Sequence, residues 1–169
     1  MNILFVCTGN TCRSPMAEAL FNAAPQRPPQ TTAFSAGLSA LPEDTVSPGA
    51  VVALQHYNLD LSGRKAVRFS KELADQADLI LTMTAFQEAM LLALFPEMSA
   101  KIYSFAAYLN QFAPLTSSGQ EGSTELTPPY GEVEDPYGQP QLVYDRVAEQ
   151  IAQMVSRLQE CLTKTDKQC

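Results

Sequence analysis

NILFVCTGNTCRSPMAEAL, residues 2–20, passes from an apolar run through a turn-rich loop into a helix-forming segment. Asn2–Val6 is short, apolar and partly β-branched, the pattern of a strand buried on both faces. Residues 7–13 carry Thr, Gly and Asn between two cysteines and an arginine, which predicts a loop. Ser14-Pro15 reads as an N-cap followed by proline at the first helical position, and the helix is expected to run to about Ala23. Glu18 stands four residues after Ser14, so the strict capping box is not met.

Working outward, the same alternation repeats. Thr31–Ser35 is a second strand, closed by Gly37. Ser47-Pro48 opens a second helix, and Ser70 caps a short helical turn ahead of Ala77. Asp78–Thr82 is a third buried strand followed by a helix through Leu94, and Lys101–Ser104 is a short fourth strand. Residues 110–131 are rich in Pro, Ser, Thr, Gly and Glu and lack periodicity, which predicts a long surface loop. In the final helix Val143, Val147, Ile151, Met154, Leu158 and Leu162 recur at three- and four-residue steps, one apolar stripe. Strands alternating with helices predict an α/β domain with a mostly parallel sheet, and one domain over residues 1–169. In such sheets ligands bind at the carboxyl ends of the strands, which is where residues 7–13 stand relative to the first strand.

Composition narrows the class. Of 169 residues, 46% are hydrophobic and 17% charged, enough apolar chain for a substantial core. A net charge of −7 argues against nucleic acid as the main partner. No run approaches 18 apolar residues, so no membrane span is expected, and no secretory leader is evident; the expected location is the cytoplasm. The four cysteines, Cys7, Cys12, Cys161 and Cys169, form no CxxC pair, and His56 is the single histidine. Neither a metal, a cofactor nor a disulfide scaffold is therefore expected. Cys161 reads as an ordinary helix residue, Cys169 as a tail thiol, and Arg64, Lys65, Arg68 and Lys71 as a solvated basic face.

The opening loop carries the chemistry. A strand-to-helix loop can turn its N–H groups inward as an anion-binding nest, and the following helix adds partial positive charge at its N-terminus. Thr8 and Thr11 contribute N–H groups, Gly9 admits close backbone approach, and Asn10 tolerates a left-handed conformation. Arg13 offers a planar fork for two phosphate oxygens. The same field favours a thiolate at Cys7, a nucleophile that needs no histidine base. Ser14 adds a hydroxyl near that thiolate. The loop is thus fitted to hold a tetrahedral oxyanion with sulfur aimed at its centre. Asp135-Pro136 is by itself an ordinary turn dipeptide.

CTGNTCRSPMAEAL at 7–20, SAG at 35–37, DLILTM at 78–83, FPE at 95–97 and EDPYG at 134–138 together resemble the low-molecular-weight protein phosphatases, in the expected order. The resemblance implies a three-layer fold with a four-stranded parallel sheet flanked by helices. It implies a phosphocysteine intermediate on Cys7, a loop from Thr8 through Cys12 and on to Ser14 around the phosphoryl group, and Arg13 on its oxygens. It implies that Ser35 braces Asn10. It makes Asp135 the general acid for the leaving group and then the base for the attacking water. It also implies a reversible Cys7–Cys12 disulfide that protects the nucleophile. A phosphorylated protein substrate and a monomeric enzyme are expected.

Thr11 resembles the protein arginine phosphatase branch, because a hydroxyl suits a polar guanidino group where tyrosine phosphatases place an aliphatic side chain. Phosphoarginine is therefore the expected substrate, with phosphotyrosine the alternative. Tyr137 spells DPY in the tyrosine phosphatase manner and is expected to line the substrate slot. GRKA at 63–66 lacks a histidine often found there in the family. Arsenate reduction fits less well, since residues 80–100 hold no cysteine and Pro15 suits the phosphatases. A phosphate-binding module without catalysis would be expected to lack Cys7 or Asp135. A dinucleotide enzyme would need a GxGxxG after the first strand.

Overall fold

The computed structural model describes residues 1–113 and 130–165. Four strands, β1 (Asn2–Cys7), β2 (Thr32–Gly37), β3 (Leu79–Thr82) and β4 (Ile102–Ser104), form one parallel sheet in the order β2-β1-β3-β4. The helices are α1 (Arg13–Ala23), α2 (Pro48–Gln55), α3 (Lys71–Gln76), α4 (Ala85–Leu94), α5 (Phe105–Phe112) and α6 (Gln141–Thr165).

β1 explains the layering. Its side chains alternate, so Ile3, Phe5 and Cys7 face one apolar cluster and Leu4 and Val6 face another. The first cluster holds the inner faces of α1, α2, α5 and α6, and the second holds α3, α4 and the 3-10 turn Pro96–Lys101. Phe5 is fully buried and meets the rings of Phe21 and Phe105 at centroid distances of 6.3 and 5.4 Å. The stripe on α6 packs inward at Val147, Ile151, Met154, Leu158 and Leu162, with Val143 half-buried.

Two boundaries differ from the sequence expectation. Helix α1 begins at Arg13, with Cys12 rather than Ser14 at its N-cap. Proline at the third helical position is still within the first turn, where its missing N–H has no intrahelical partner to lose. Ser14 is fully buried and serves the loop instead. Residues 110–112, assigned to the long loop, close helix α5, whose start is capped when the Ala107 N–H donates to Ser104 Oγ at 3.3 Å. Residues 114–129 of that loop, and Cys169, lie outside the described residues. Among the described residues no helix is long and apolar enough to cross a membrane.

The sheet order decides where a ligand can bind. From β1 the chain goes out to β2 on one side and returns to β3 on the other. Crossovers leaving a strand in opposite directions open a crevice at its carboxyl end, beyond Cys7. Gly37, paired with Cys7 at the end of β2, lets the loop sit down on the sheet: a Cβ there would lie 2.7 Å from Asn10 N and 2.8 Å from Thr8 O. Those are backbone atoms with no room to yield. Gly37→Ala is expected to lose about 1–3 kcal/mol of stability, read as a lowered urea midpoint.

Candidate active site

The 7–13 loop is held from inside by one amide. Asn10 is fully buried at φ +54°, in the left-handed region that Asn tolerates better than most residues. Its Nδ2 donates to Ser14 Oγ at 2.9 Å and to Ser35 Oγ at 2.8 Å, and its Oδ1 accepts from Val67 N at 2.8 Å. Every hydrogen-bonding group of that side chain is engaged, by partners on α1, β2 and the segment before α3. The loop is tied to the chain beyond β2 as well: Leu38 N donates to Cys7 O and Ser39 N to Thr8 O.

Cys7 is buried at the floor. Its Sγ lies 3.0 Å from Ser14 Oγ and accepts from Asn10 N at 3.2 Å. No side chain caps the start of α1, which leaves the first-turn N–H groups to an anion in the crevice. Arg13 is also buried; its guanidinium donates to Asp135 Oδ2 at 2.5 Å and to the Val133 carbonyl at 3.4 Å. Asp135 is half-exposed and takes the N–H of Tyr137 on Oδ1, an Asx turn that aims the carboxylate inward. Val133 N donates to Met83 O, anchoring this segment beyond β3.

Cys7, Arg13, Thr11, Asp135 and Tyr137 line one cavity of about 520 Å³. Thr8, Gly9 and Cys12 line it too, whereas Asn10, Ser14 and Ser35 act behind it. Tyr137 stands exposed at its mouth. Cys12 is a buried free thiol like Cys7, with Ser47 Oγ at 3.1 Å and the Tyr144 hydroxyl at 3.9 Å. Burial pushes the Tyr144 phenol up from its ordinary range. Among the described residues no group of three or more side chains is disposed to hold a metal ion.

The family described as low molecular weight phosphotyrosine protein phosphatase matches residues 2–168. The chain belongs to that family. A protein-arginine-phosphatase of Bacillus subtilis (strain 168) is 32% identical over 165 residues, 97% of this chain and 98% of that one. A YwlE arginine phosphatase, solved as a cysteine-to-serine mutant with a phosphorylated active-site serine, superimposes with a TM-score of 0.80 at 30% identity over 97% of each chain. A low molecular weight protein tyrosine phosphatase from T. tengcongensis superimposes with a TM-score of 0.78 at 36% identity, over 95% of this chain and 98% of that one.

Within this low molecular weight phosphatase, two groups near the loop escaped the sequence reading. Gln87 on α4 is buried; its Oε1 accepts from Met83 N at 3.0 Å and its Nε2 donates to Thr8 Oγ1 at 3.1 Å, linking the end of β3 to the loop. A lone glutamine on a helix gives no signal of this in sequence. Arg64 is not part of a solvated face: its side chain is 24% exposed, and Nη2 donates to Glu18 Oε2 at 2.5 Å and Ser35 Oγ at 3.2 Å. Asn10→Ala, which strips the partners of Val67 N and two hydroxyls at a left-handed position, is expected to cost about 2–4 kcal/mol by urea unfolding and to abolish vanadate binding.

Proposed function

We propose that this enzyme hydrolyses phosphoarginine on proteins. The observation that carries the reading is the single cavity shared by the Cys7 sulfur, the Arg13 guanidinium and the Asp135 carboxylate. The phosphoryl group takes the place of the Asp135 carboxylate on Arg13, with the loop N–H groups on its remaining oxygens. The Cys7 thiolate attacks phosphorus in line and the P–N bond breaks. Asp135, released from Arg13, takes a proton from solvent and passes it to the departing guanidino nitrogen. Water then attacks phosphocysteine, Asp135 takes a proton from it, and the P–S bond breaks to return the thiolate and release inorganic phosphate.

Two features support arginine. Thr11 is half-buried and lines the cavity, so its hydroxyl is available to the planar guanidino group. The lining also includes the carboxylates of Glu43 and Asp44, with Arg13 as its one cation among the described residues. Such a rim favours a substrate whose phosphate is attached to a basic group. The exposed ring of Tyr137 favours phosphotyrosine as the second reading. The proposal includes a monomer in the cytoplasm, with Cys12 resolving Cys7 when that thiol is oxidised.

Turnover of phosphoarginine and of a phosphotyrosine peptide, measured side by side in reductant, tests the choice. Phosphoarginine is expected to be preferred, with no turnover by Cys7→Ser. Asp135→Asn is expected to lower kcat about a hundred- to ten-thousandfold. Thr11→Ile should shift the preference toward phosphotyrosine by about ten- to a hundredfold. A wild-type preference for phosphotyrosine would overturn the arginine reading.

A further inference from the structure

A second cavity, of about 250 Å³, lies between α6 and the far end of α1, the end opposite Arg13. Each helix turns a short row of residues toward it. Leu20, Ala23 and Ala24 come from α1 and its cap, and Ala152, Val155, Ser156 and Gln159 from α6. Spacings of three and four residues put each row on one helix face. The alanines in these rows carry only a methyl group, so the two helices do not close on each other there. Tyr57 and Leu59, from the segment after α2, form one side. Among the described residues the cavity shares no lining side chain with the one at Cys7.

Gln159 is the polar side chain of this wall that lies fully buried. Its Nε2 donates to the Phe21 carbonyl at 3.0 Å. Phe21 stands in the last turn of α1, where carbonyls have no helical N–H ahead to accept from. That bond fixes which way the amide faces, because a turned-over Gln159 would set its own oxygen against a carbonyl oxygen. Oε1 is thereby held as an acceptor, and it has no hydrogen-bond partner among the described residues. A buried acceptor without a donor costs stability and is uncommon in folded proteins. The gap beside it forfeits packing as well. A single molecule seated in the cavity would offset both costs at once.

We propose that this cavity is a second binding site, for a small neutral ring compound that gives one N–H or O–H hydrogen bond to Gln159 Oε1. Its chemistry sets the class of ligand. Among the described residues no Lys, Arg, His, Asp or Glu lines it. Burial pushes the Tyr57 phenol up from its ordinary range, so that side chain too is uncharged at neutral pH. A charged ligand would lose its hydration here and gain no counter-charge. A phosphorylated group is therefore confined to the other cavity, where Arg13 stands. The volume is several times the share of one water, about 30 Å³. It is slightly below the range of drug-sized pockets, which begins at about 300 Å³. One ring or two fused rings fit those bounds, with Leu20, Leu59 and Val155 against their faces. The site is independent of the reaction at Cys7.

The experiment titrates the full chain with indole, a neutral fused ring with one N–H donor, and follows proton–nitrogen correlation spectra. Indole is expected to shift the side-chain amide of Gln159 and the backbone signals of Ala23, Ala152 and Val155, with half-saturation below about 1 mM. N-methylindole keeps the ring and loses the donor, and is expected to bind about three- to tenfold more weakly. Gln159→Leu removes the acceptor, so it is expected to bind the two compounds equally. Ala152→Phe fills the gap and is expected to abolish the shifts while phosphatase turnover stays at the wild-type rate. Should Gln159→Leu fail to fold, the comparison of the two compounds on wild type and on Ala152→Phe carries the test. Equal affinity of wild type for both compounds would overturn the proposal, as would indole shifts that centre on the 7–13 loop. So would the lack of any saturable shift up to several millimolar, which would leave the cavity to water.

Discussion

The side chain of Asn10 holds the ends of four pieces of chain together. It sits at φ +54° in the middle of the loop, and its amide reaches α1 through Ser14, β2 through Ser35 and the segment before α3 through Val67. A buried amide has two protons and an acceptor to satisfy, and a low-dielectric interior makes each omission costly. All are satisfied here, so the loop has one low-energy shape. Gly37 is the counterpart on the sheet side, since no side chain fits between it and the loop backbone. The curvature that brings the Asn10 N–H onto the Cys7 sulfur follows from these two residues.

Charge is arranged on both sides of that loop. In front, Arg13 is buried and depends on Asp135 and the Val133 carbonyl for partners. A buried guanidinium keeps its affinity for an oxyanion because it is poorly hydrated, and an incoming phosphoryl group exchanges one anion for another. Behind, Arg64 and Glu18 form a second pair that meets Ser35, the residue bracing the loop. The front pair faces the cavity, and the rear pair braces the loop from behind through Ser35.

Much of the architecture was legible in the residues. Apolar runs separated by helical periodicity made the parallel α/β sheet the natural reading, and the C-x5-R spacing marked the end of β1 as the ligand site. The errors have specific causes. Ser14-Pro15 carries the usual signature of a helix start, but the serine's bonds to Cys7 and Asn10 take it inside the helix. Helix α5 (Phe105–Phe112) carries no separate signal in the sequence because it follows directly on a three-residue strand. Arg64 looked like one of four surface cations because its anionic partner lies 46 residues earlier.

The sequence by itself determined the loop: its length, its Gly and Asn, a thiol at one end and a guanidinium at the other. These are local properties, set by backbone conformational preference and side-chain chemistry within seven residues. Tertiary structure alone decided what faces that loop. Asp135 is 122 residues from Arg13, Gln87 is 79 from Thr8, and Arg64 is 29 from Ser35. Those meetings follow from the strand order β2-β1-β3-β4, which directs the segments after β2, β3 and β4 toward one end of β1. No local pattern encodes such a convergence, because it is fixed by which strand ends the sheet brings side by side.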